Sequence, residues 1–337
     1  MIAIAGDVQR LRPHMKTHKC RELIVRQMAR GITKFKCATI AEAEMVASCG
    51  VADVLLAYQP VGPNVERFVE LVRRFPSVKF SCGADNAESI AALAEAAARS
   101  SQKIEVLLDL DIGQHRTGVE PTARALELYR LIASSPALTP GGLHAYDGHI
   151  HDTEVAARTT ACEAAFAPVE TLRRKLESEG LPVPRVVAGG TPTFPIHACR
   201  AAVECSPGTC VLWDAGYAAA MPDLDFLPAA VLFTRVVSKP TPDRLCLDLG
   251  HKAVASEMPH PRVVFLNLTD ATPVAHNEEH LVVETSHAAE FAVGAGVYGL
   301  PWHICPTVAL HAEAVVVENG RATGRWQIEA RARRLTI

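Results

Sequence analysis

The sequence predicts an α/β protein in which a (β/α)8 barrel of the TIM type precedes an all-β domain. Eight short apolar runs alternate with segments of helical periodicity before residue 222, which is the pattern of such a barrel. After residue 222 the chain is rich in β-branched runs and turns and has little helical pattern. We therefore predict domains at 1–222 and 223–337. An open, doubly wound sheet is the alternative for the first domain, but no GxGxxG motif follows a strand.

The predicted elements follow from hydrophobic period. The eight strands of the first domain are residues 11–18, 34–39, 53–59, 79–83, 104–112, 141–149, 185–190 and 203–212. Helix formers at helical spacing lie between them at residues 40–49, 64–75, 87–100, 122–134 and 154–179. The strands of the second domain are predicted at residues 230–237, 244–249, 262–268, 281–284 and 314–317.

Composition limits the partners and the compartment. The 337 residues include 34 basic and 37 acidic side chains, a net charge of −3, so nucleic acid and anionic membrane are not expected partners. The ten cysteines are scattered without a CxxC motif, and the chain has no secretory signal. No apolar run approaches the roughly 20 residues that cross a bilayer. We expect a cytoplasmic protein with reduced thiols and a small-molecule substrate.

The stretch LRPHMKTHK, residues 11–19, carries the strongest chemical signal. As a strand, it places Arg12, His14, Lys16 and His18 on one face. Barrel interiors are normally filled by branched apolar side chains, so a lysine between two histidines near a strand's carboxyl end indicates a site. A partly desolvated lysine beside other cations is a usable amine nucleophile, which makes Lys16 the candidate. The alternative is a basic loop whose charges lie in water.

Acidic residues and an arginine come together at the end of the fifth predicted strand. Asp109 and Asp111 share a strand face, and Arg116 lies in the loop that follows. This arrangement suits the binding of a polar ring or an acid group. The alternative is an Asp–Arg pair that is only structural.

The segment HAYDGHIHD provides the next candidates. Tyr146 lies near a predicted strand end, and His149 and His151 are two residues apart, so in extended backbone they project to the same side. Either histidine is a candidate for proton transfer. The alternative is a hydrogen-bonded structural histidine, which we favour for His151.

Two turns are candidates for phosphate binding. Residues 188–192 (AGGTP) follow the seventh strand, and residues 206–209 (SPGT) lie in the region of the eighth. Their small side chains let backbone N–H groups approach an anion where many barrels bind phosphate. The alternative is ordinary turn chemistry.

The second domain contains a candidate metal pair in the segment PWHICPT. On a strand, His303 and Cys305 would share a face and offer the nitrogen and sulfur ligands that suit Zn²⁺. Two protein ligands fit an open site that water and substrate complete. The alternative is a buried thiol beside an unrelated histidine. Glu278–His280 offers further or supporting ligands, or else a solvated charge run.

Taken together, the motifs resemble the D-threonine aldolase and D-serine dehydratase family over nearly the whole chain. They occur in the family's order: RPHMKTHK, DxGxxRTGV, YDGH, AGGTPT, PGT, EEH and HxC. The resemblance implies a fold-type III pyridoxal 5′-phosphate enzyme with the architecture of alanine racemase. It also implies a homodimer with sites at the interface.

The resemblance implies a role for each matching residue. Lys16 would hold the cofactor covalently beside His14, Arg116 would lie near its phenolic oxygen, and Tyr146 and His149 would lie near its ring and the substrate. The phosphate would be surrounded by Gly189, Gly190, Thr191, Gly208 and Thr209. A divalent metal (Zn²⁺, or Mn²⁺ or Mg²⁺) would bind to His303 and Cys305.

Three departures from the family pattern affect these expectations. Relatives usually have a TPxLVVD-like strand and a helix before this motif, whereas ten residues precede Leu11, so we expect the family's first strand to be missing and the β-domain to be less stable. Cys210 replaces a tyrosine, which removes a possible phosphate hydroxyl. Ser206 stands where alanine racemases have an arginine that faces the pyridine nitrogen, and this fits the aldolase and dehydratase branch.

The implied reaction starts from a D-β-hydroxy-α-amino acid whose hydroxyl binds the metal. If a base, for which His149 is the candidate, removes the hydroxyl proton, the Cα–Cβ bond breaks and glycine and an aldehyde form. If Lys16 removes the α-proton, elimination gives a keto acid and ammonia. We predict D-threonine-aldolase-like cleavage, with D-serine-dehydratase-like elimination as the alternative.

Two further classes stay open on sequence grounds. A racemase would need a second acid–base group, for which Tyr298 is the only tyrosine in the second domain. A non-catalytic pyridoxal-phosphate-binding protein would resemble a lone barrel.

Overall fold

A computed structural model describes all 337 residues, which form two compact units. The first unit comprises Met1–Lys16, Cys20–Gly208 and Ala332–Ile337, and the second comprises Thr17–Lys19 and Thr209–Arg331. These units are defined by contacts within the chain, and the predicted functional boundary after residue 222 stays a prediction.

The first unit alternates strands and helices, as predicted. Its strands are β1 (Lys34–Cys37), β2 (Asp53–Leu56), β3 (Lys79–Ala84), β4 (Ile104–Leu110), β5 (Leu138–Ala145), β6 (Val186–Ala188) and β7 (Val203–Cys205). Its helices are α1 (Ile2–Ala5), α2 (Arg21–Met28), α3 (Ile40–Ser48), α4 (Pro63–Arg74), α5 (Ala87–Arg99), α6 (Ala123–Ser134), α7 (Val155–Ser178) and α8 (Phe194–Ala198). Five of these helices lie within one residue of the predicted bounds at each end.

Local chemistry explains where the helices begin. The side chain of Thr39 accepts a hydrogen bond from the Glu42 amide at the start of α3, and Asn86 does the same for Ser89 at the start of α5. Pro63 opens α4, where the missing N–H costs nothing. Each of these three helices therefore starts at a residue that satisfies or omits an amide that would otherwise have no partner.

The seven strands form one parallel sheet in the order β1-β2-β3-β4-β5-β6-β7. All seven carboxyl ends lie at the same edge, where barrel and related α/β sheets place their ligand sites. The fold class predicted from the sequence is confirmed, with seven regular strands in place of eight.

The predicted strand over residues 11–18 is wrong as a regular strand. The structure has two isolated parallel bridges, Leu11 with Cys205 and His14 with Lys36, followed by a 3-10 helix over Met15–Thr17. Pro13 has no backbone N–H to donate, so a continuous ladder cannot form there.

The same segment nevertheless pairs with both edges of the sheet. The Arg12 amide donates to the Cys205 carbonyl and the Lys36 amide donates to the Pro13 carbonyl, each over 2.9 Å. The segment thus lies between β7 and β1, and it brings Lys16 to the carboxyl end of the strands.

Seven charged side chains fill the amino end of the sheet's inner face: Arg12, Lys34, Asp53, Lys79, Glu105, Arg185 and Glu204. Arg12 is fully buried and binds Asp53 over 2.6 Å and Glu204 over 2.7 Å. Burial alone would lower the pKa of Arg12, but the two carboxylates outweigh it and raise that pKa. The sequence does not single out this ionic layer.

Every second residue along these strands lies on the inner face, so the residues between the ionic layer and the site can be followed along each strand. Two residues beyond the charged positions, Leu55, Leu107 and Val187 pack together as an apolar layer. Two residues further along β4 lies Asp109. The inner face therefore passes from an ionic layer through an apolar layer to polar groups at the carboxyl end.

The second unit is built mostly of β-strands, as predicted, and these strands pair antiparallel. Its strands are β8 (Leu232–Thr241), β9 (Arg244–Leu247), β10 (Val263–Phe265), β11 (Thr272–His276), β12 (Leu281–Glu284), β13 (Gly296–Pro301), β14 (Glu313–Glu318) and β15 (Arg321–Gln327). Six of them form a sheet in the order β10-β13-β8-β9-β12-β11, and β14 and β15 form a hairpin. The unit also contains helices α9 (Ala215–Ala220) and α10 (Ile304–Leu310).

The core of the second unit is aliphatic. Leu245, Leu247, Val283 and Val297 are fully buried within one cluster. They belong to β9, β12 and β13, so this cluster joins the central strands of the sheet. No helix in either unit is long and apolar enough to span a membrane.

Candidate active site

A cavity of about 260 Å³ lies at the carboxyl ends of the first unit's strands. It brings together four residues that the sequence selects: His14, Lys16, Arg116 and Tyr146. The other residues that line it are Lys36, Ala38, Ala57, Tyr58, Thr117 and His144. Most of its polar groups are therefore basic.

Three cations surround the ring of Tyr146. The Nζ of Lys16 is 5.9 Å, the Nζ of Lys36 is 5.4 Å and the Cζ of Arg116 is 5.3 Å from the ring centre. These are cation–π distances, so the electron-rich ring face partly offsets the repulsion among the cations. Tyr146 is thus the common neighbour of the predicted nucleophile and its basic surroundings.

Lys36 is a second lysine of the cavity that the sequence analysis does not select. It lies on β1 beside His14, and only 2% of it is exposed. Burial and the charge of Lys16 lower the pKa of Lys36 to about 7. The sequence indicates Lys36 only through side-chain alternation, because a strand over KFKC places Lys34 and Lys36 on the same face.

His144 and Asp109 form a buried pair on neighbouring strands. The Nδ1 of His144 lies 2.6 Å from the Oδ1 of Asp109, and the two residues are direct partners in the β4–β5 ladder. The carboxylate fixes the ring through Nδ1, and the Nε2 is buried without a hydrogen-bond partner. His144 therefore offers the cavity a nitrogen that is free to bind a ligand atom.

The other acidic candidates are structural. Asp111 accepts hydrogen bonds from the Gly113 and His115 amides and binds the His115 ring over 3.0 Å. Arg116 makes no pair with it. The Asp–Arg alternative raised by the sequence is therefore wrong in detail, since Asp109 pairs with His144 and Asp111 holds its own loop.

Asp147 stabilises the glycine turn that follows β6 at Gly189 and Gly190. The Oδ1 of Asp147 accepts hydrogen bonds from the Gly190 amide (3.1 Å) and the Thr193 hydroxyl (2.8 Å). The Oδ2 of Asp147 lies 2.8 Å from the Nε2 of His197. Burial would raise the pKa of Asp147, but hydrogen bonds from His197 and Thr193 outweigh it and lower that pKa.

Asp147, Cys162 and His197 also bring three possible metal ligands within 4.8 Å of one another. Arg200 donates to the Nδ1 of His197 over 3.1 Å, which places the imidazole proton on Nε2, toward Asp147. That nitrogen has no lone pair left for a metal. We therefore assign the cluster to the support of the glycine turn.

The turn itself has the shape of a cradle. Gly189 has φ +81°, and a Cβ there would lie 2.9 Å from the His197 ring, while a Cβ on Gly190 would lie 3.1 Å from the Tyr146 ring. The Thr191 hydroxyl accepts a long hydrogen bond (3.4 Å) from the Gly208 amide, which joins the two predicted phosphate turns. Since the Gly190 amide binds Asp147, Gly190 contributes space and not a donor.

These features fit pyridoxal 5′-phosphate in the first unit. The cavity has an amine for its aldehyde, cations for its negative charge and an unpartnered imidazole nitrogen for a polar ring atom. Glycines without room for side chains adjoin the Tyr146 ring, as close approach of a ligand requires. The chemistry of the residues present therefore matches the cofactor that the sequence motifs imply.

His149, the predicted base, does not line the cavity. Its Nε2 lies against Gly113, where an added Cβ would be 2.8 Å away, and its Nδ1 is buried without a partner. His151 is exposed. The strand predicted over residues 141–149 ends earlier, at Ala145, so the two histidines do not project together from extended backbone. The role of His149 stays a prediction.

The candidate metal pair lies in the second unit, at the start of α10. The predicted strand is wrong here, because β13 ends at Pro301 and His303 directly precedes the helix that contains Cys305. The Oδ2 of Asp214 accepts a hydrogen bond of 3.0 Å from the Ile304 amide, which would otherwise have no partner in the first turn of α10. Pro306 follows in the same turn, where a missing N–H is tolerated.

The pair is nevertheless close, and its chemistry suits a metal. The Cys305 Sγ lies 3.2 Å from the Thr17 hydroxyl and 3.6 Å from the Thr209 hydroxyl. Burial would raise the pKa of the Cys305 thiol, but hydrogen bonds from His303 and Thr17 outweigh it and lower that pKa. A thiolate and an imidazole are ligands that Zn²⁺ favours.

Glu257 orients the histidine of this pair. Its Oε1 lies 2.5 Å from the Nδ1 of His303, the arrangement in which a carboxylate fixes the tautomer of a metal-binding histidine. Burial would lower the pKa of His303, but Cys305 and Glu257 raise it to about 9. The supporting residues predicted at Glu278–His280 include two carboxylates that instead bind Lys252.

Comparison with known proteins agrees with this geometry. The model of the alanine racemase N-terminal domain matches residues 1–214, and that of the serine dehydratase domain matches residues 229–317. The D-threonine aldolase of an Arthrobacter species is 31% identical over 326 residues, covering 95% of this chain and 85% of the relative. The chain belongs to the D-threonine aldolase and D-serine dehydratase family. It is therefore a member of a family of enzymes.

Other members of the family agree with this assignment. The 3-hydroxy-D-aspartate aldolase of Paracoccus denitrificans is 27% identical, with 96% of this chain and 85% of the relative covered. The crystal structure of D-threonine aldolase from Filomicrobium marinum has a TM-score of 0.89 at 27% identity, and covers 96% of this chain and 88% of that one. Both family and fold resemblances predicted from the motifs are confirmed.

Proposed function

We propose that this family member is a pyridoxal 5′-phosphate- and divalent-metal-dependent lyase of D-β-hydroxy-α-amino acids that cleaves them as D-threonine aldolase does. The observation that supports the proposal most strongly is the basic cavity around Tyr146, where Lys16 and Lys36 lie with Arg116 and His144. Similarity to two aldolases over more than nine-tenths of the chain adds support.

Lys16 is the proposed attachment residue, because it is the lysine of the RPHMKTHK motif that lines the cavity at the carboxyl end of the strands. Gly189, Thr191 and Gly208 hold the phosphate in this proposal. When bound, the cofactor supplies an electron sink for negative charge at the substrate's α-carbon. Arg116, which is exposed, binds anionic oxygen from the solvent side.

Cleavage needs a group that takes the proton of the substrate's β-hydroxyl. The sequence indicates His149, but His144 lines the cavity and has a free Nε2 that Asp109 holds in place. We therefore propose that the Nε2 of His144 accepts this proton as the Cα–Cβ bond breaks. His303 and Cys305, with Glu257 behind the histidine, are the proposed metal ligands.

Elimination is the second candidate reaction. It is favoured by one observation, that Cys305 lies beside His303, which lowers the pKa of its thiol. The sequence shares this donor pair with the zinc dehydratase pattern. In that reaction the Lys16 amine takes the α-proton, and the hydroxyl leaves. A D-threo-3-hydroxyaspartate dehydratase from Delftia is 30% identical over 55% of this chain, covering 48% of the relative.

Product analysis tests the proposal. The purified chain, supplied with pyridoxal 5′-phosphate and Mn²⁺ or Zn²⁺, is incubated with D-threonine, D-serine and 3-hydroxy-D-aspartate, with the L-isomers as controls. Glycine plus an aldehyde supports the aldolase, and a keto acid plus ammonia supports the dehydratase. A racemic mixture without cleavage, in the presence or absence of a chelator, would overturn both. The small D-amino acid substrate and the homodimer remain part of the proposal.

A further inference from the structure

Lys36 is a buried cation of the cavity whose charge no side chain neutralises. Only 2% of the residue is exposed, its ammonium forms no ion pair, and its Nζ lies 5.4 Å from the centre of the Tyr146 ring. A buried ammonium without an anionic partner is costly, because it has lost its hydration and gained no opposite charge. Such a group persists in a native cavity where a ligand supplies the missing charge.

Neither of the two acidic groups near Lys36, Asp109 and Asp147, forms an ion pair with it, although the Oδ2 of Asp109 has no hydrogen-bond partner. Asp109 binds the Nδ1 of His144 over 2.6 Å, and Asp147 binds His197, Thr193 and the Gly190 amide. Both carboxylates act on Lys36 only through space. The protein therefore leaves Lys36 without an anionic oxygen in hydrogen-bond contact.

The neighbouring cations have separate roles. Lys16 is no longer available to bind another anion when its amine is bonded to an aldehyde. His14 has its pKa lowered well below the ordinary value, first by burial and then by the charges of Lys16 and Lys36, so its ring is neutral. Arg116 is exposed. When Lys16 is bonded to the aldehyde, Lys36 is the buried cation that remains available to bind an anion.

We propose that Lys36 is a second functional lysine, which binds an anionic oxygen of the ligand that occupies the cavity. The inference rests on the proposed function. Two sources of that oxygen are compatible with the geometry, namely the phenolic oxygen of the cofactor and a carboxylate of the substrate. In either case the ligand, and not the protein, supplies the negative charge that balances Lys36.

The pKa of about 7 for Lys36 in the unliganded chain is consistent with this role. Burial and Lys16 produce the low pKa, and both act against the charged form. An anion that enters the cavity acts in the opposite direction and favours the ammonium. Binding of such an anion near neutral pH is therefore accompanied by proton uptake at Lys36.

The test compares wild type with Lys36→Met, which removes the charge at similar length, and Lys36→Arg, which keeps it. Lys103→Met, at an exposed lysine, is the matched control. Lys36→Gln replaces Lys36→Met if the latter does not fold by circular dichroism. Each full-length protein is loaded with pyridoxal 5′-phosphate, and its absorbance spectrum, cofactor Kd and affinity for D-lactate by calorimetry are measured.

If the cofactor supplies the oxygen, Lys36→Met shifts the spectrum and raises the cofactor Kd at least tenfold. If the substrate supplies it, the spectrum and cofactor Kd are unchanged, and D-lactate affinity falls at least tenfold. Lys36→Arg retains most of either property, and Lys103→Met retains all of it. Wild-type behaviour of Lys36→Met in both measurements overturns the inference.

A separate arm distinguishes failure of the inference from failure of the proposed function. Salicylate carries an aromatic ring and anionic oxygens, and its stabilisation of the cofactor-free chain is measured by thermal unfolding. Stabilisation of wild type and Lys103→Met but not of Lys36→Met supports Lys36 as an anion-binding residue, even if wild type takes up no cofactor and the proposed function fails. Equal shifts in all variants, or none in wild type, overturn it.

Discussion

The Nδ1 of His144 lies 2.6 Å from the Oδ1 of Asp109, and this contact leaves the Nε2 of His144 buried and without a partner in the cavity that Lys16 lines. A carboxylate that holds an imidazole in one orientation is a common way to prepare a proton acceptor. The pair also joins two neighbouring strands, so its geometry is set by the sheet.

Replacement of His144 by Gln is therefore expected to reduce kcat by about 100-fold, the usual contribution of one acid–base group. Asp109→Asn is expected to give a smaller loss, because the ring stays in the cavity but loses its fixed orientation. Steady-state kinetics on D-threonine measure both. His115→Gln, at an exposed histidine, is the control, and a larger loss for His149→Gln than for His144→Gln would return the role to His149.

The ionic layer beneath the site predicts a large effect on stability. Arg12→Met leaves the largely buried Asp53 without its guanidinium and leaves Glu204 with Lys34 alone, and we expect a loss of about 3–5 kcal/mol in the free energy of unfolding. Urea denaturation measures it. Arg73→Met, which breaks an exposed pair with Glu70, should leave the midpoint unchanged, and equal midpoints for the two variants would contradict a structural role for Arg12.

Stability of the cofactor-free chain is expected to depend on pH through Lys36. Its pKa is about 7 in the folded chain and 10.5 in the unfolded one, so the unfolded chain binds more protons between these values. The free energy of unfolding therefore rises as pH increases from about 7 to 10, by a few kcal/mol in total. Lys36→Met should remove this rise in urea titrations at several pH values, and an unchanged slope would show that Lys36 is not buried as described.

Metal binding is expected to depend on Glu257. Loss of the carboxylate that fixes the Nδ1 of His303 should weaken Zn²⁺ or Mn²⁺ binding by about 10-fold or more, as for other supporting carboxylates. Competition with a chromophoric chelator measures the affinity of Glu257→Gln. Glu279→Gln is the matched control because that carboxylate binds Lys252, and a greater loss there would favour the support predicted from the sequence.

The fold was largely predictable because its signals are local. Helices such as α3 and α5 follow from a capping residue and helical periodicity, and β4 from an apolar run with polar ends. Segments that depend on distant partners were mispredicted. Residues 11–18 are irregular because Pro13 interrupts a ladder shared with β1 and β7, and the segment around Cys305 is helical because Asp214 caps it.

The candidate site was predictable only in part. Motifs located Lys16, Arg116 and Tyr146, which the structure brings together. Lys36 and His144 were missed because a lysine or histidine on a strand gains meaning only from the strands beside it. The alternation of side chains along β1 and β5 indicates which strand face Lys36 and His144 occupy. It does not indicate which residues of neighbouring strands lie beside them, because that depends on strand pairing in the folded sheet.

The central claim, that Lys16 holds the cofactor, is tested most directly by borohydride reduction of the loaded protein followed by peptide mass spectrometry. The cavity has two lysines, so the measurement has a clear alternative. We expect the reduced cofactor mass on Lys16, with no labelling of Lys16→Ala. The mass on Lys36, or equal labelling of Lys16→Ala and wild type, would contradict it.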